Sequence, residues 1–142
     1  MTENGCTFCN IVAGAIPADI VFEDDVSLAF LDIRPVFLGH TLLVPRDHHE
    51  TLGDLPDTLV EPLFTNARML SMAVQGGLEA EGTFVAMNNK VSQSVPHLHI
   101  HVVPRRRKDG LRGFFWPRRK YESDEERARV AGAIRTAVVD LG

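Results

Sequence analysis

Apolar and polar positions alternate over several short stretches of the chain and predict β-strands. Runs of four to seven residues are rich in aliphatic, β-branched and aromatic side chains, a pattern typical of strands buried on at least one face. The acidic turn Glu23-Asp24-Asp25 separates the first two runs and predicts a hairpin. A short helix is expected before them, over residues 8–13. The predicted strands are residues 20–23, 28–33, 41–44, 84–88 and 97–103.

Helical periodicity predicts two longer helices. Over residues 58–75 apolar side chains recur every three or four positions, and Pro62 is expected in the first turns of this helix. A second helix is predicted over residues 123–141, where Ser123 and Glu126 have the spacing of a capping box. The two apolar stripes are Leu59, Leu63, Ala67, Leu70 and Val74 in the first helix, and Val130, Ile134, Ala137, Val138 and Leu141 in the second.

Clustered strands and separate helices predict an α+β fold with an antiparallel sheet and two main helices. The 142 residues suit one domain spanning 1–142, with segment 105–120 and helix 123–141 appended to its core. The sequence contains no apolar run of the roughly 18–20 residues that a membrane span needs. It also lacks the features of a signal peptide, so a soluble cytoplasmic protein with no membrane partner is expected.

Charge is distributed unevenly along the chain. The net charge is -4, yet residues 105–120 contain eight Lys or Arg and one Asp. Three interpretations of this basic segment remain open: a solvated loop, a clamp for an anionic leaving group such as polyphosphate, or a nucleic-acid surface with interleaved aromatic side chains. The first two are favoured over nucleic acid, which is not expected as a partner. The aromatic residues are Phe114, Phe115 and Trp116.

The segment His97-Leu98-His99-Ile100-His101 is the most informative part of the sequence. On a strand, residues two apart share a face, so three imidazoles would line one side while the aliphatic residues face a core. Neutral imidazoles have no packing reason to gather in this way. Metal binding and catalysis both explain the pattern, and catalysis is favoured because the pKa of histidine lies near neutrality.

This histidine segment, followed by Val102 and Val103, resembles the signature of the histidine triad nucleotide hydrolases and transferases. The resemblance covers roughly residues 5–116. It implies an antiparallel sheet with helices, a homodimer and a purine nucleotide substrate. Other segments that resemble this family are Phe22-Glu23-Asp24-Asp25, Leu28-Ala29-Phe30-Leu31-Asp32-Ile33, Gly39-His40-Thr41-Leu42, Pro45-Arg46-Asp47-His48 and Gln93-Ser94-Val95.

The resemblance implies a covalent mechanism. His99 would attack the α-phosphorus, and water would then release the mononucleotide from the nucleotidyl-histidine. His101 would donate to a phosphoryl oxygen or to the leaving group, with His40 in a supporting role. Gln93 and Ser94 would add neutral hydrogen-bond donors. The expected substrates are dinucleoside polyphosphates or nucleoside phosphoramidates; the alternatives are a nucleotidyl transferase or phosphorylase, or a nucleotide-binding regulator with weak activity.

The same resemblance implies which residues would bind the nucleoside. Asp32 would accept hydrogen bonds from the ribose hydroxyls, and an unpaired carboxylate within an apolar run is otherwise difficult to explain. Asn89 would supply an amide near the phosphates, in a loop that is shorter than usual and has Ser92 where the family usually has glycine. The apolar base pocket would consist of Ile11, Phe22, Phe30 and Ile33.

Cys6 and Cys9 have a spacing typical of zinc ligands. A Cys-x-x-Cys pair also occurs as two thiols without a metal, and this alternative stays open. In members of the resembled family that contain the pair, histidines complete a structural zinc site, and the corresponding residues here are His48 and His97. The family also has a tryptophan that reaches the partner's active site, for which Trp116 is the candidate.

Overall fold

The computed structural model describes residues 5–112 and 117–142. The chain divides after Asp109 into two compact units. The first contains a five-stranded sheet and two helices, and the second contains one helix. The prediction of one domain over residues 1–142 stays a prediction. No helix in the described ranges is long and apolar enough to cross a membrane.

The sheet is antiparallel throughout, with strand order β1-β2-β3-β5-β4. The predicted α+β class with an antiparallel sheet is confirmed. β1 and β2 form the hairpin expected around the acidic turn, and Asp24 accepts hydrogen bonds from the Val26 and Ser27 amides there, both at 2.9 Å. The strands are β1 (Ile20–Glu23), β2 (Ser27–Leu31), β3 (Thr41–Pro45), β4 (Gly82–Ala86) and β5 (Ile100–Arg105).

Three α-helices accompany the strands: α1 (Thr7–Val12), α2 (Asp57–Gly77) and α3 (Asp124–Leu141). Pro62 lies in the second turn of α2, near the position expected. Ser123 caps α3 by accepting a hydrogen bond from the Glu126 amide at 3.0 Å. The Glu126 carboxylate accepts from the Glu122 amide at 3.0 Å, so the second half of the expected capping box is displaced by one residue.

The two faces of the sheet have separate apolar cores. Side chains alternate along β2 and β3, so that Ala29 and Leu43 face α2 while Leu28, Phe30 and Leu42 pack with α1. The stripe of α2 is buried against the first face, and each fully buried leucine stabilises the fold by about 1.5–3 kcal/mol. On β5, Ile100 and Val102 belong to the α2 core, which leaves His101 for the α1 face.

Three of the predicted strands have wrong boundaries. The strand expected over residues 97–103 begins only at Ile100, because the Leu98 amide donates to the His49 carbonyl at 2.7 Å instead of to a neighbouring strand. β2 ends at Leu31, since the Asp32 amide donates to the His40 carbonyl at 2.9 Å and the chain turns there. The strand expected over residues 84–88 is β4, which lies two residues earlier because its pairing with β5 ends at Ala86.

Candidate active site and metal cage

A cavity of about 480 Å³ lies on the face of the sheet that α1 covers. Apolar side chains from α1, β2 and β3 form one part of its wall, and two histidines of the triad, His99 and His101, form another. Asp32 and Ser94 add polar groups to the lining. The cavity therefore combines an apolar pocket with converging polar groups, as ligand sites commonly do. The apolar lining includes Phe8, Ile11, Phe30, Leu42 and Val95.

His99 is held in one tautomer by the backbone. Its Nδ1 lies 2.8 Å from the carbonyl oxygen of His97. A carbonyl can only accept, so Nδ1 carries the proton and donates it to that oxygen. The neutral ring then has an unprotonated Nε2, which is the nitrogen available for nucleophilic attack. The ring is 4% exposed and packs edge-on against Phe8, with ring centroids 5.1 Å apart.

The tautomer of His101 is set through His40. The Val36 amide donates to His40 Nδ1 at 3.1 Å, so neutral His40 carries its proton on Nε2. His40 Nε2 lies 2.9 Å from His101 Nδ1 and donates to it. His101 therefore carries its own proton on Nε2. His101 thus contributes a hydrogen-bond donor to the cavity, and the neighbouring His99 contributes a nucleophilic nitrogen.

Burial keeps the histidines of this pair neutral. Desolvation, together with the nearby His99 and His40, lowers the pKa of His101 to about 4, against an opposing effect of Asp32. Burial also lowers the pKa of His40, although Asp32 partly offsets the shift. Both rings are therefore uncharged at neutral pH, as the hydrogen-bond pattern requires.

Asp32, His40 and His101 bring three potential metal-ligand atoms within 4.8 Å of one another. The hydrogen bonds argue against a metal there. His40 Nδ1 accepts from a backbone amide, so its other nitrogen must keep a proton and has no lone pair for a metal. The carboxylate Oδ2 of Asp32 lies 3.7 Å from that His40 nitrogen. The hydrogen bonds of His40 and His101 therefore favour proton positioning by these two rings over metal binding.

A second cluster joins both cysteines with two histidines, and we call it the cage: Cys6, Cys9, His48 and His97. Their ligand atoms all lie within 4.8 Å of one another. Cys6 Sγ lies 3.3 Å from His97 Nδ1, and Cys9 Sγ lies 3.3 Å from His48 Nδ1. Both thiols are buried. These are the four residues that the sequence suggested as metal ligands.

The chemistry of the cage suits a zinc ion. His97 Nε2 donates to the Pro45 carbonyl at 2.9 Å, which leaves the Nδ1 lone pair directed at the thiols. Such an outer hydrogen bond to a carbonyl is typical of metal-binding histidines. Burial lowers the pKa of His97 to about 4, the hydrogen bond to Pro45 opposing the shift, so the ring remains neutral and able to ligate. Two thiolates and two imidazoles form a common tetrahedral zinc set.

The structure places some of the expected nucleoside-binding residues at the cavity and one of them elsewhere. Phe30, Asp32 and Ile33 line it, and Ile33 is 90% exposed at the rim. The Arg34 amide donates to Asp32 Oδ1 at 2.9 Å and so orients the carboxylate. Phe22 does not line this cavity. It packs with the α2 core and lines a different apolar cavity, a position that does not support the predicted place in the base pocket.

Asn89 and Gln93 are also outside the cavity lining. Asn89 Oδ1 accepts from the Leu52 amide at 2.8 Å. Gln93 donates to the Glu50 carbonyl at 2.6 Å and accepts from the Lys90 amide at 2.9 Å. These hydrogen bonds brace the loop before the triad against the segment after β3, and this accounts for both amides structurally. Their expected phosphate contacts stay predictions, and Ser94 lines the cavity.

Some lining residues were not predicted. Phe8 lies between the two cysteines, and its place beside His99 depends on how the cage orients α1. Thr7, Val95 and Arg34 also line the cavity. Arg34 could have been predicted as a lining residue, because it directly follows the predicted nucleoside-binding segment. The other three come from segments whose approach to the triad is set by tertiary packing.

The arginines at the start of the basic segment have local partners. Arg105 forms a bidentate pair with Asp109, at 2.7 and 3.0 Å, and Arg107 pairs with Glu81 at 2.7 Å. Arg106 donates to the Leu78 carbonyl at 2.7 Å. They lie at the opposite end of β5 from His101, which favours a structural role over a phosphate clamp. Phe114, Phe115 and Trp116 lie outside the described residues, so the expectations about them stay predictions.

Comparison with known proteins identifies the family. The model of the HIT domain family matches residues 13–108 of the chain. The chain belongs to the HIT domain family. Among curated HIT relatives, the chain is 30% identical over 146 residues to an adenylylsulfatase of Arabidopsis thaliana (HINT3), covering 98% of this chain and 72% of that protein. It is 33% identical over 124 residues to an adenosine 5′-monophosphoramidase of Saccharomyces cerevisiae, covering 87% and 77%.

Solved HIT structures have the same fold. A HIT family member from Bacillus subtilis superimposes with a TM-score of 0.83 at 36% identity, covering 94% of this chain and 96% of that chain. A zinc-bound histidine triad family protein from Mycobacterium smegmatis superimposes with a TM-score of 0.71 at 36% identity, covering 96% and 97%. Named relatives of this family are hydrolases, which supports an enzyme of the HIT type here.

Proposed function

We propose that this HIT protein hydrolyses purine nucleotide derivatives at the α-phosphate through a nucleotidyl-His99 intermediate. The observation that carries the proposal is the hydrogen bond from His99 Nδ1 to the His97 carbonyl at 2.8 Å. It leaves an unprotonated Nε2 on a ring that lines a nucleotide-sized cavity. His101 adds an N–H donor to the same lining.

In the first step, the lone pair of His99 Nε2 attacks the α-phosphorus, and the bond from phosphorus to the leaving group breaks. The leaving group keeps the electron pair of that bond, and an amine leaving group takes up a proton from solvent as it departs. The Nε2–H of His101 donates a hydrogen bond to a phosphoryl oxygen, where negative charge develops. The Ser94 hydroxyl, also in the lining, is a second neutral donor. The positive charge that forms on the His99 imidazolium is stabilised because its Nδ1–H already points at a carbonyl oxygen.

In the second step, water attacks the phosphorus and the P–Nε2 bond breaks. The mononucleotide leaves, the electron pair returns to His99 Nε2, and the proton of the water passes to solvent. Throughout both steps Asp32 would accept hydrogen bonds from the ribose hydroxyls, while Phe30 and Ile33 pack against the base. Asp32 is suited to this role because its carboxylate lies in the cavity lining and is oriented by the Arg34 amide.

The substrate class is proposed from the relatives together with the site. The two relatives are named for an adenylyl sulfate and for an adenosine monophosphoramidate. We therefore propose nucleoside phosphoramidates and mixed anhydrides of AMP, with dinucleoside polyphosphates as further candidates. The lack of a phosphate clamp at Arg105, Arg106 and Arg107, whose partners are local, weighs against a preference for long polyphosphates.

The test is incubation with adenosine 5′-phosphoramidate, adenosine 5′-phosphosulfate and diadenosine tetraphosphate, with and without inorganic phosphate. We expect AMP from the first two in either condition, and a covalent adenylyl-protein on rapid quench into alkaline denaturant, in which a phosphorus–histidine bond survives. ADP formed only with phosphate would indicate a phosphorylase instead. Tight AMP binding without turnover of any of the three compounds would indicate a nucleotide-binding regulator.

We also propose that the cage holds one structural zinc ion, which cross-links α1 to the segments that contain His48 and His97. The zinc-bound mycobacterial homologue supports this. Elemental analysis of purified protein is expected to find about one zinc per chain, and Cys9→Ser should lower the metal content. Metal-free protein in which both thiols react with a thiol reagent at the rate of an unfolded control would exclude the site.

The homodimer implied by the family resemblance remains part of the proposal. β4 lies at one edge of the sheet, and edge strands are common sites of pairing with a second chain. Val85 on this strand and Met72 on α2 are exposed apolar side chains that a partner would cover. A cytoplasmic location stays a prediction.

A further inference from the structure

His97 belongs to the cage and to the active site at once. Its ring nitrogen Nδ1 lies 3.3 Å from Cys6 Sγ and 3.5 Å from Cys9 Sγ. Its backbone carbonyl accepts the hydrogen bond that sets the tautomer of His99. The position of this one backbone carbonyl therefore depends on how firmly the His97 ring is held, and the nucleophile depends on that carbonyl.

Helix α1 provides a second connection. Cys6 caps its N-terminus and Cys9 lies within it, so the cage holds the helix at two of its residues. The same helix presents Phe8 and Ile11 to the nucleotide cavity. Phe8 contacts His99 edge-on at 5.1 Å between centroids and Phe30 at 5.4 Å. One six-residue helix thus forms part of both sites, and a helix this short has little stability of its own.

The two sites also share a wall. A small cavity of about 170 Å³ beside Cys6 and His48 is lined by Thr7, Ser94 and Val95, and the same three residues line the nucleotide cavity. The His97 amide donates to the Val95 carbonyl at 2.8 Å, which ties this wall to the cage. A change in the position of this wall would therefore alter the shape of both cavities.

We propose that metal binding in the cage and nucleotide binding in the cavity are energetically coupled: each tightens the other through α1 and His97. The proposal rests on the proposed nucleotide and zinc sites. Coupling between ligands is reciprocal, so the factor by which zinc raises the affinity for AMP must equal the factor by which AMP raises the affinity for zinc. A coupling of typical size would make this factor about ten.

The experiment uses the full chain loaded with zinc. The zinc affinity is measured by competition with a chromophoric chelator, without nucleotide and with saturating AMP, and AMP affinity is measured by calorimetry on zinc-loaded and chelator-stripped protein. We expect both ratios to be about tenfold and equal within error. Equal zinc affinity with and without AMP would overturn the coupling.

Failure of the proposed function gives a different result. If zinc-loaded protein binds no AMP, the nucleotide site itself is wrong. If the stripped protein loses its circular dichroism signal, protein produced with cobalt in the cage is used instead. That protein is never metal-free during the measurement. Saturating AMP should then shift the ligand-field absorption of the bound cobalt, since His97 lies between the two ligands. An unchanged spectrum at saturating AMP would overturn the coupling.

A pair of matched variants tests the route. Phe8→Leu keeps an apolar side chain on α1 but removes the edge contact with His99, and the coupling ratio should fall towards one. Phe22→Leu makes the same change in the α2 core, on the other face of the sheet, and should leave the ratio unchanged. Equal ratios in the two variants would show that the coupling does not pass through Phe8. Adenosine, which lacks the phosphate, should retain only the part of the coupling that passes through α1.

Discussion

Replacing the proposed nucleophile, in His99→Ala, is expected to reduce hydrolysis of adenosine 5′-phosphoramidate by roughly four to six powers of ten. The ring supplies the only nitrogen that we assign to attack on phosphorus, and no covalent intermediate forms without it. The AMP affinity should change by less than about tenfold, because Asp32 and the apolar pocket remain. Initial rates and calorimetry measure the two quantities separately.

The control for this variant is His49→Gln, which changes a histidine that does not line the cavity. It should retain turnover. Protein quenched in alkaline denaturant should contain adenylyl-histidine in the wild type and in His49→Gln but none in His99→Ala. Undiminished hydrolysis by His99→Ala would refute the nucleotidyl-histidine mechanism, whatever the effect on binding.

Removing His40 is expected to lower kcat by about a hundredfold with little change in KM, because His40 acts on His101 and does not line the cavity. In His40→Ala, His101 Nδ1 loses the donor at 2.9 Å that fixes its tautomer. The Val36 amide also loses its acceptor, and the loss of one intramolecular hydrogen bond costs about 0.5–1.5 kcal/mol of unfolding free energy. Steady-state kinetics and denaturant unfolding measure these effects.

His40→Gln separates tautomer control from simple loss of stability. A glutamine amide can accept from Val36 and donate to His101, so it can restore the donor and the acceptor together. We expect kcat to recover to within about tenfold of the wild type. Nitrogen chemical shifts of His101 should report Nε2 as the protonated nitrogen in the wild type and in His40→Gln, and a tautomer mixture in His40→Ala. Identical shifts in all three proteins would contradict the relay.

Much of the fold follows from local patterns in the sequence. β1 matches its predicted range because the Glu23-Asp24-Asp25 turn limits it on one side. α2 matches closely because its stripe has a clear 3.6-residue period over five turns. The start of β5 could not be predicted from such a pattern. Residues 97–99 alternate as a strand does, but the backbone amides of His97 and Leu98 do not pair with a neighbouring strand; the Leu98 amide, for example, donates to the His49 carbonyl. Periodicity gives the faces of a segment, whereas strand boundaries depend on partners.

The site could be predicted in part for a similar reason. The family resemblance supplied the four cage residues, and the structure brings their ligand atoms together. It also suggested amide contacts by Asn89 and Gln93, but those side chains are occupied by loop hydrogen bonds. Phe22 was placed in the base pocket by its family segment, yet the register of β1 turns it towards α2. Which face a short edge strand presents depends on details such as the irregularity between Ile20 and Phe22.

The charges around the cavity have a consequence for product release. Arg34, at the nucleoside side, is the only Lys or Arg among the described lining residues, and His101 at the reacting end is neutral. In the proposed complex, a mononucleotide dianion would therefore be held by dipoles and by contact with the base, without an opposing full charge beside its phosphate. Such an attraction is screened only weakly by salt. The rate constants for AMP binding and for AMP release should therefore each change little with ionic strength. Turnover should then stay nearly constant when the salt concentration changes.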